Sequence, residues 1–326
     1  MMNVLLVAPD HVGIIKLIRE QLQGNKEYDL DVIDLVLPRS EKFRYKSTGQ
    51  RVRNFFIKTF TKKNLKEEYY HQKITEKITN SKKRYDVVVT IRPDLLRENN
   101  LKLLRSLTTH FVAYYWDTVS FYPRKREIIH FFDRIFSFDV EDCSTFGFEF
   151  LTNFYCFVDD PAERKYDVYG IVMYDERAPK LEKVAAFLEA KNISYCIKAN
   201  AKKDFNSKYI TWVPQTLDYR KMLKEISFCE VLLEIQKDRQ KGLSFRPFEA
   251  LGMKKKLITN NPLIKQYDFY SDHNICVIDP DNINIPEDFF ATPYRDIDPR
   301  IRDKYHFKHW FDKLVSPVPV NFAENG

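Results

Sequence analysis

The residues NVLLVA at positions 3–8 form a continuous apolar run of strand length. After a short polar loop, apolar residues recur at helical spacing at Ile14, Leu17, Ile18 and Leu22. A strand that is apolar throughout, followed by an amphipathic helix, is typical of a parallel sheet covered on both faces. The start of the chain therefore predicts an α/β fold.

The same alternation continues through the chain and then restarts. In the first half we predict further strands at residues 30–35, 86–91, 110–115 and 134–138. The restart is the strand DVYGIVM (167–173), followed by a helix over 179–190. In the second half we predict further strands at residues 193–198, 209–213, 228–235, 256–260 and 274–279. We therefore expect two similar Rossmann-like α/β/α domains that face a central cleft.

The expected domain boundary lies at DDPAERK (159–165), because a charged segment with a proline is typical of linkers. The predicted domains are an N-terminal one over 1–160 and a second one over 161–300. A C-terminal helix and tail over 301–326 are expected to pack back on the first domain. A chain of 326 residues is long enough for two cores, and its 44% hydrophobic content excludes a disordered protein.

Positive charge is concentrated in one segment. Residues 39–84 hold 15 Lys and Arg against 4 Asp and Glu, although the whole chain carries only +7. Among these cations lie Phe55, Phe56, Ile57 and Phe60. Such a segment suits an anionic membrane surface. The alternative is a solvated helical face with its phenylalanines in the core. No nucleic-acid partner is predicted, since no known nucleic-acid-binding motif accompanies the charge.

The chain shows no signal for export or for membrane insertion. No stretch reaches the roughly 18 apolar residues of a membrane span, and the first residues lack the basic region of a signal peptide. The five cysteines are widely spaced without a CxxC pair, which indicates reduced thiols. We expect a cytoplasmic protein, located at the inner face of the cytoplasmic membrane if the basic segment binds lipid.

The first strand-to-helix loop, PDHVG (9–13), contains neither GxGxxG nor GxxxxGK[ST]. This argues against a dinucleotide-dependent oxidoreductase and against a P-loop kinase. The loop offers Asp10 and His11 instead. His11 is a candidate general base, because histidine titrates near neutral pH. A loop residue that caps the next helix or meets solvent is the alternative.

The second half contains the most informative stretch, GLSFRPFEALGMKKKLITNN (242–261). Here Gly242 is expected to form a turn, Ser244 to cap the next helix and Gly252 to end it. The preceding loop supplies three cations, Lys237, Arg239 and Lys241. Cations around a helix N-terminus favour an anion, so this loop predicts a diphosphate site.

This stretch resembles the donor-site motif of GT-B glycosyltransferases, in particular CgeB-like and other bacterial surface-polysaccharide transferases. The resemblance implies that Glu249 binds the nucleotide ribose. It also implies that Ser244, Phe245 and Arg246 contact the diphosphate, and that Arg177 lies near the donor phosphates. Without the resemblance, Arg246 and Glu249 could simply form an ion pair on the helix surface.

The resemblance covers residues 170–279, whereas the first half shares only the α/β rhythm. It implies a metal-independent glycosyltransferase without a cofactor, whose co-substrate is a nucleoside diphosphate sugar. The implied acceptor is a glycan or a lipid-linked glycan, as in capsule, lipopolysaccharide or O-antigen synthesis. Two alternatives remain: a nucleotide-sugar epimerase or hydrolase, and a non-catalytic surface-binding module.

The acceptor side is expected in the first domain. An inverting transfer needs a base for the attacking hydroxyl, and Asp117 follows the predicted strand 110–115 among aromatic residues. An apolar setting would raise the pKa of its carboxyl. Asp117 and His11 are therefore the candidate bases. The candidates for acceptor binding are Asp10, Trp116 and Tyr122. A helix cap, or an aromatic cluster within the core, is the alternative.

Overall fold

The computed structural model describes residues 1–61, 63–81, 83–119, 125–157 and 162–317. These residues form two compact units. The first unit consists of Met1–His11, Ile15–Phe136 and the described residues from Leu314 onward. The second consists of Val12–Ile14 and Ser137–Lys313.

The first sheet has six strands in the order β2-β1-β3-β4-β5-β6, and β1 pairs in parallel with both β2 and β3. In chain order the strands are β1 (Met2–Ala8), β2 (Tyr28–Asp34), β3 (Val87–Ile91), β4 (Phe111–Tyr115), β5 (Arg134–Ser137) and β6 (Glu149–Phe150). The helices along this part of the chain are α1 (Ile14–Leu22), α2 (Thr48–Thr61), α3 (Leu65–Asn80), α4 (Glu98–Ser106), α5 (Lys125–Ile128) and α6 (Val140–Phe146).

Burial explains why these apolar runs form central strands. Every residue of β3 and of β4 is buried, so both faces of the sheet are covered. On one face, Val88 and Phe111 pack with Ile74 of α3 and Leu101 of α4. Removing such side chains from water is the main favourable contribution to folding.

The second sheet also has six strands, in the order β12-β11-β10-β7-β8-β9, and all five of its pairings are parallel. Its strands are β7 (Tyr166–Met173), β8 (Tyr195–Asn200), β9 (Ile210–Val213), β10 (Cys229–Glu234), β11 (Lys256–Thr259) and β12 (Ile275–Val277). The helices along this part are α7 (Ala178–Ala190), α8 (Tyr219–Ser227), α9 (Phe245–Gly252), α10 (Asp288–Ala291), α11 (Pro299–Asp303) and α12 (Phe307–Val315).

Both sheets contain a point at which the strand order reverses direction. In the first sheet β1 lies between β2 and β3, and in the second β7 lies between β8 and β10. In open α/β sheets, ligands bind beyond the carboxyl ends of the strands at this switch point. Ligand-binding residues are therefore expected in the loops after β1 and β3, and in those after β7 and β10.

The predicted α/β class and its two Rossmann-like sheets are confirmed. All eleven predicted strands are present, each with bounds within two residues of those expected, and α12 contains Trp310 and Phe311 as expected. The strand that the sequence did not reveal is β6, which is only two residues long. The predicted linker 159–165 lies partly, and the tail after Pro317 wholly, outside the described residues. The proposed domain boundary therefore stays a prediction.

Two further expectations can be compared with the structure. None of the five cysteines is in a disulfide bond, and burial raises the pKa of the thiols of Cys156 and Cys229. Within the described ranges, no helix combines the length and the apolar character needed to cross a bilayer.

Candidate functional site

The carboxyl ends of β7 and β10 bring two cations to one carboxylate. Arg177 donates from Nε and Nη2 to the two oxygens of Asp175, both at 2.8 Å, and from Nη1 to the carbonyl of Ile235 at 3.2 Å. Lys237 follows β10 and places its Nζ 3.4 Å from Asp175. The resulting group of two cations and one carboxylate has one net positive charge at the switch point of the second sheet.

Asp175 is ionised in this arrangement. Burial alone would raise its pKa, but hydrogen bonds from Arg177 and the charges of Arg177 and Lys237 outweigh that effect. Its pKa therefore lies below the ordinary value for aspartate. The ionised carboxylate orients both cations, so they are held in place before any ligand arrives.

The loop between β10 and α9 is held by buried amide groups. Gln236 donates from Nε2 to the carbonyls of Gln240 at 2.7 Å and Gly242 at 2.9 Å. Asn261 in turn donates from Nδ2 to Oε1 of Gln236 at 3.0 Å. Because these amides are buried and mutually bonded, the loop has a defined shape.

The same loop displays two of the predicted phosphate-binding cations. Arg239 and Lys241 are both exposed, and neither side chain forms an ion pair with any residue in the described part of the chain. The side chains of Arg177 and Lys237 are more buried, at 16% and 39% exposure. The second unit therefore offers four cations along two adjacent loops.

The two glycines of the donor-like stretch are required by close packing. A Cβ on Gly242 would overlap the backbone oxygen and ring of Phe138, and one on Gly252 would overlap the ring of Tyr155. Helix α9 does end at Gly252, as predicted, but Lys254 is the residue that adopts the left-handed conformation, with φ of 52°. Both glycines thus act through the absence of a side chain, not through a special backbone angle.

The N-terminus of α9 is capped by Ser244, which confirms that prediction. Its Oγ accepts a hydrogen bond from the N–H of Arg246 at 3.1 Å. Pro247 has no N–H, so two of the first-turn donors are not available to an anion. The ring of Phe245 packs edge-on against Phe154, with centroids 5.3 Å apart. Binding of a diphosphate here would therefore depend more on side-chain cations than on backbone donors.

Arg246 and Glu249 form an ion pair, but it is not a surface pair. Their side chains are only 21% and 1% exposed. Within the described residues, Oε1 of Glu249 has no hydrogen-bond partner. The carboxylate is closed to solvent in this conformation, so a ribose could reach it only after the surrounding side chains rearranged. The ribose-binding role of Glu249 stays a prediction.

Glu234 is a candidate that sequence reasoning missed. It is the last residue of β10, is 4% exposed, and accepts hydrogen bonds from Oγ of Ser244 and, at 2.8 Å, from Oγ1 of Thr259. Burial raises its pKa, and these hydrogen bonds oppose the rise only in part. The available signal was a carboxylate directly after three consecutive apolar residues, Val231 to Leu233, at the end of a strand. Through Ser244, Glu234 positions the start of α9.

In the first unit, Asp10 acts as a helix cap. Its two carboxylate oxygens accept hydrogen bonds from the N–H groups of Ile15 at 3.3 Å and Lys16 at 2.9 Å, at the start of α1. Its own N–H donates to Asp34 at 3.0 Å. The structure therefore accounts for Asp10 without a ligand, and acceptor binding by this residue stays a prediction.

A cavity of about 430 Å³ lies at the carboxyl ends of β1 and β2 in the first unit. Its walls are largely apolar and include the rings of Phe43 and Tyr69, while Lys42 and Lys66 add two cations and the exposed His11 adds an imidazole. Cavities of this size, with apolar walls and a few polar groups, are typical of small-molecule sites. The sequence had singled out His11, but it did not indicate the other lining residues.

Asp117 lies beside a cation. Arg92, directly after β3, donates to both oxygens of Asp94 at 2.9 and 2.8 Å, and its Nη1 is 3.9 Å from Oδ2 of Asp117. Arg92 also has φ of 59°, a left-handed conformation that is uncommon outside glycine and is often found at functional sites. The side chain of Asp117 is 46% exposed, so its surroundings differ from the apolar setting we expected.

The aromatic residues near Asp117 divide into two groups. Tyr114 and Tyr115 are fully buried in β4 and belong to the core, as the alternative had suggested. Trp116 is half-buried at the end of that strand, where an acceptor-binding role stays a prediction. Tyr122 lies outside the described residues.

Across the described ranges, no group of three or more His, Cys, Asp or Glu side chains is placed to hold a metal ion. The predicted absence of a metal and of a cofactor stays a prediction.

No family model matches this chain, and no curated protein matches it. Solved structures do match along nearly all of its length. One is an α,α-trehalose-phosphate synthase (UDP-forming) from Burkholderia xenovorans in complex with glucose 6-phosphate. It is 11% identical, with 95% of this chain and 98% of that chain covered and a TM-score of 0.58.

Two other matches have TM-scores of 0.50. The first is an α-glucosyltransferase in complex with UDP and DNA, 12% identical, with 96% of this chain and 93% of that chain covered. The second is HepE from Anabaena in complex with UDP and glucose, 6% identical, with 97% and 93% covered. At such identities the likeness shows the fold alone, and that fold is GT-B. None of these comparisons supports the narrower resemblance to CgeB-like enzymes, which rests on the sequence of residues 170–279 alone.

Proposed function

We propose that this protein is a glycosyltransferase that transfers a sugar from a nucleoside diphosphate sugar. One observation carries the proposal: Arg177 and Lys237 converge from two neighbouring strand ends at the switch point of the second sheet. A diphosphate is the anion that such a pair of cations suits best. The UDP and UDP-forming chemistry named for the solved structures of the same fold supports uridine as the nucleoside.

In this proposal the second unit holds the donor. Arg177 and Lys237 contact the diphosphate, and the exposed Arg239 and Lys241 close over it from the loop after β10. Ser244, Phe245 and Arg246 define the start of α9 next to this loop. Glu249 accepts the ribose hydroxyls, after its ion pair with Arg246 has rearranged. Gly242 allows the loop to pack closely enough to keep this shape.

The first unit holds the acceptor in this proposal. The aromatic rings in the cavity beside His11 suit a sugar ring, and Lys42 and Lys66 suit an attached phosphate. Asp117 or His11 takes the proton from the attacking hydroxyl. We propose a glycan or lipid-linked glycan as acceptor, of the kind used to build capsule, lipopolysaccharide or O-antigen. We also propose that transfer takes place in the cytoplasm without a metal ion.

The test is to measure binding of UDP and of UDP-glucose by calorimetry. Arg177→Ala is expected to weaken binding about tenfold or more, because a charge-assisted contact to phosphate is lost. The matched control is Lys183→Ala on α7, since Lys183 is exposed and forms its ion pair with Asp281, which belongs to neither of the two cationic loops. Unchanged binding by Arg177→Ala, in a variant with an unaltered melting curve, would overturn the donor assignment.

A panel of nucleotide sugars then tests the reaction class in the same preparation. Transfer to added glycan acceptors, undiminished by a chelator, is the expected outcome. Release of free sugar or a change of sugar configuration, equally fast without acceptor, would instead indicate a hydrolase or an epimerase.

A further inference from the structure

Helix α2 turns a row of large apolar side chains towards solvent. Val52, Phe55, Phe56 and Phe60 are 50%, 66%, 53% and 80% exposed. The phenylalanines therefore do not lie in the core, which was the simpler alternative for this segment. Contiguous exposed apolar side chains mark surfaces that bind another molecule.

The orientation of α2 is determined by Asn54, which is buried. Its Nδ2 donates to Oη of Tyr45 at 2.8 Å, and its Oδ1 accepts from the N–H of Leu65 at 2.9 Å, at the start of α3. With about 3.6 residues per turn, Val52 and Phe56 fall on the face opposite Asn54. The helix cannot rotate its apolar face inward without breaking these bonds.

Cations border this apolar face on both sides. By the same helical geometry, Arg51 and Lys58 lie between Asn54 and Phe55, while Arg53 lies beside Phe60. All three cations are exposed, and α2 contains no Asp or Glu. An apolar stripe bordered by cations is the arrangement of helices that lie in the plane of an anionic membrane surface.

We propose that α2 docks on an anionic lipid membrane. Val52, Phe56 and Phe60 enter the region between head groups and acyl chains, and Arg51, Arg53 and Lys58 contact lipid phosphates. A bilayer covers all the apolar side chains at once. A nucleic acid strand would stack on individual rings and leave Val52 in water.

This surface lies near the cavity of the same unit. Asn54 bonds the N–H of Leu65, and the next residue, Lys66, lines the cavity. Docking through α2 therefore places the cavity close to the lipid surface. If the proposed function holds, the acceptor is a membrane-resident glycolipid, whereas the docking itself does not depend on that function.

The test is sedimentation of the full-length protein with two kinds of vesicle, phosphatidylcholine alone and phosphatidylcholine mixed with phosphatidylglycerol. The wild type is expected to sediment with the anionic vesicles. Phe56→Ser/Phe60→Ser is expected to lower the partition coefficient about tenfold or more, because two rings that would be buried in the membrane are lost. Both side chains are exposed, so folding should be unaffected. Phe150→Ser is the control, since Phe150 is an exposed phenylalanine outside α2.

Salt separates the apolar from the electrostatic contribution. Added NaCl should weaken the binding of the wild type without abolishing it, because screening does not affect the phenylalanines. Failure of the wild type to bind anionic vesicles, or equal binding by wild type and double variant, would overturn the proposal. So would binding of an oligonucleotide that is lost in the double variant, if vesicles are not bound.

UDP binding measured on the same samples keeps the two proposals distinguishable. Phe56→Ser/Phe60→Ser should bind UDP as the wild type does. Vesicle binding without UDP binding would contradict the proposed function and leave the docking proposal standing. UDP binding without vesicle binding would overturn the docking proposal and leave the proposed function standing.

Discussion

The switch points of the two sheets each hold a bidentate Arg–Asp pair, but the two pairs lie beside a third side chain of opposite charge. After β3 in the first unit, Arg92 forms a bidentate pair with Asp94, two residues on. After β7 in the second unit, Arg177 forms a bidentate pair with Asp175, two residues back. The first pair has Asp117 as its further neighbour and the second has Lys237. The first cluster is therefore net negative and the second net positive.

The sign of each cluster suits a different partner. A net positive cluster beside a loop held by buried amides is suited to an anion of constant shape, such as a diphosphate. A net negative cluster with a half-exposed Asp117, in the unit that also holds the cavity, is suited to hydroxyl groups and to proton transfer. The comparison teaches that the same Arg–Asp pair can belong to a cluster of either sign, depending on the third charged side chain beside it.

The largest expected effect comes from removing the third charge of the first cluster. Asp117→Asn should lower kcat for transfer about 100-fold or more if Asp117 is the base, while UDP binding stays unchanged. His11→Ala, assayed in parallel, tests the other candidate base. Glu98→Gln is the control, since Glu98 is an exposed acidic residue paired with Lys102 in the same unit. Full activity in both Asp117→Asn and His11→Ala would show that neither residue is the base.

An intermediate effect, on stability, is expected from a change in the packing of the loop between β10 and α9. Gly242→Ala should lower the free energy of unfolding by about 1–3 kcal/mol, because the new methyl group would overlap Phe138. Gly49→Ala in α2 is the matched control. A Cβ at Gly49 would meet Oγ of Ser47 at 3.8 Å, an ordinary contact distance, and alanine is favoured over glycine in a helix. Urea unfolding of both variants checks this. If Gly242→Ala were as stable as Gly49→Ala, the loop would tolerate the methyl group and the prediction would be wrong.

The smallest effect concerns the pH dependence of stability. The folded protein holds the proton of Glu234 at a pH where the unfolded chain has lost it, because burial raises this pKa. The unfolding free energy should therefore fall as pH rises from about 4.5 through the raised pKa, by up to about 1.4 kcal/mol per pH unit. Glu234→Gln should remove that slope, as urea unfolding at several pH values would show.

The control for this slope lies on the same strand. Glu230 is exposed on β10, so Glu230→Gln should retain the pH dependence of the wild type. If Glu234→Gln and the wild type had the same slope, the proton on Glu234 would be excluded as its source.

Much of the fold could be predicted because strand and helix positions depend on local periodicity. Central strands such as β3 and β4 are apolar runs, and α9 begins directly after a serine that caps it. The short β6 was missed because two exposed residues carry no periodic signal. The cations after β10 were recognised for the same reason, since they follow a predicted strand directly.

The sequence by itself determined the two-sheet α/β architecture, the position of the donor-like loop and the concentration of charge in residues 39–84. Tertiary structure alone decided which charges meet. Arg177 reaches the carbonyl of Ile235, 58 residues away, only because β7 and β10 are neighbours in the sheet. It also decided that Glu249 is closed to solvent and that the phenylalanines of α2 are not. Periodicity in the sequence indicates whether a segment is buried. Whether two side chains meet depends instead on strand order and helix packing, which are determined jointly by distant parts of the chain.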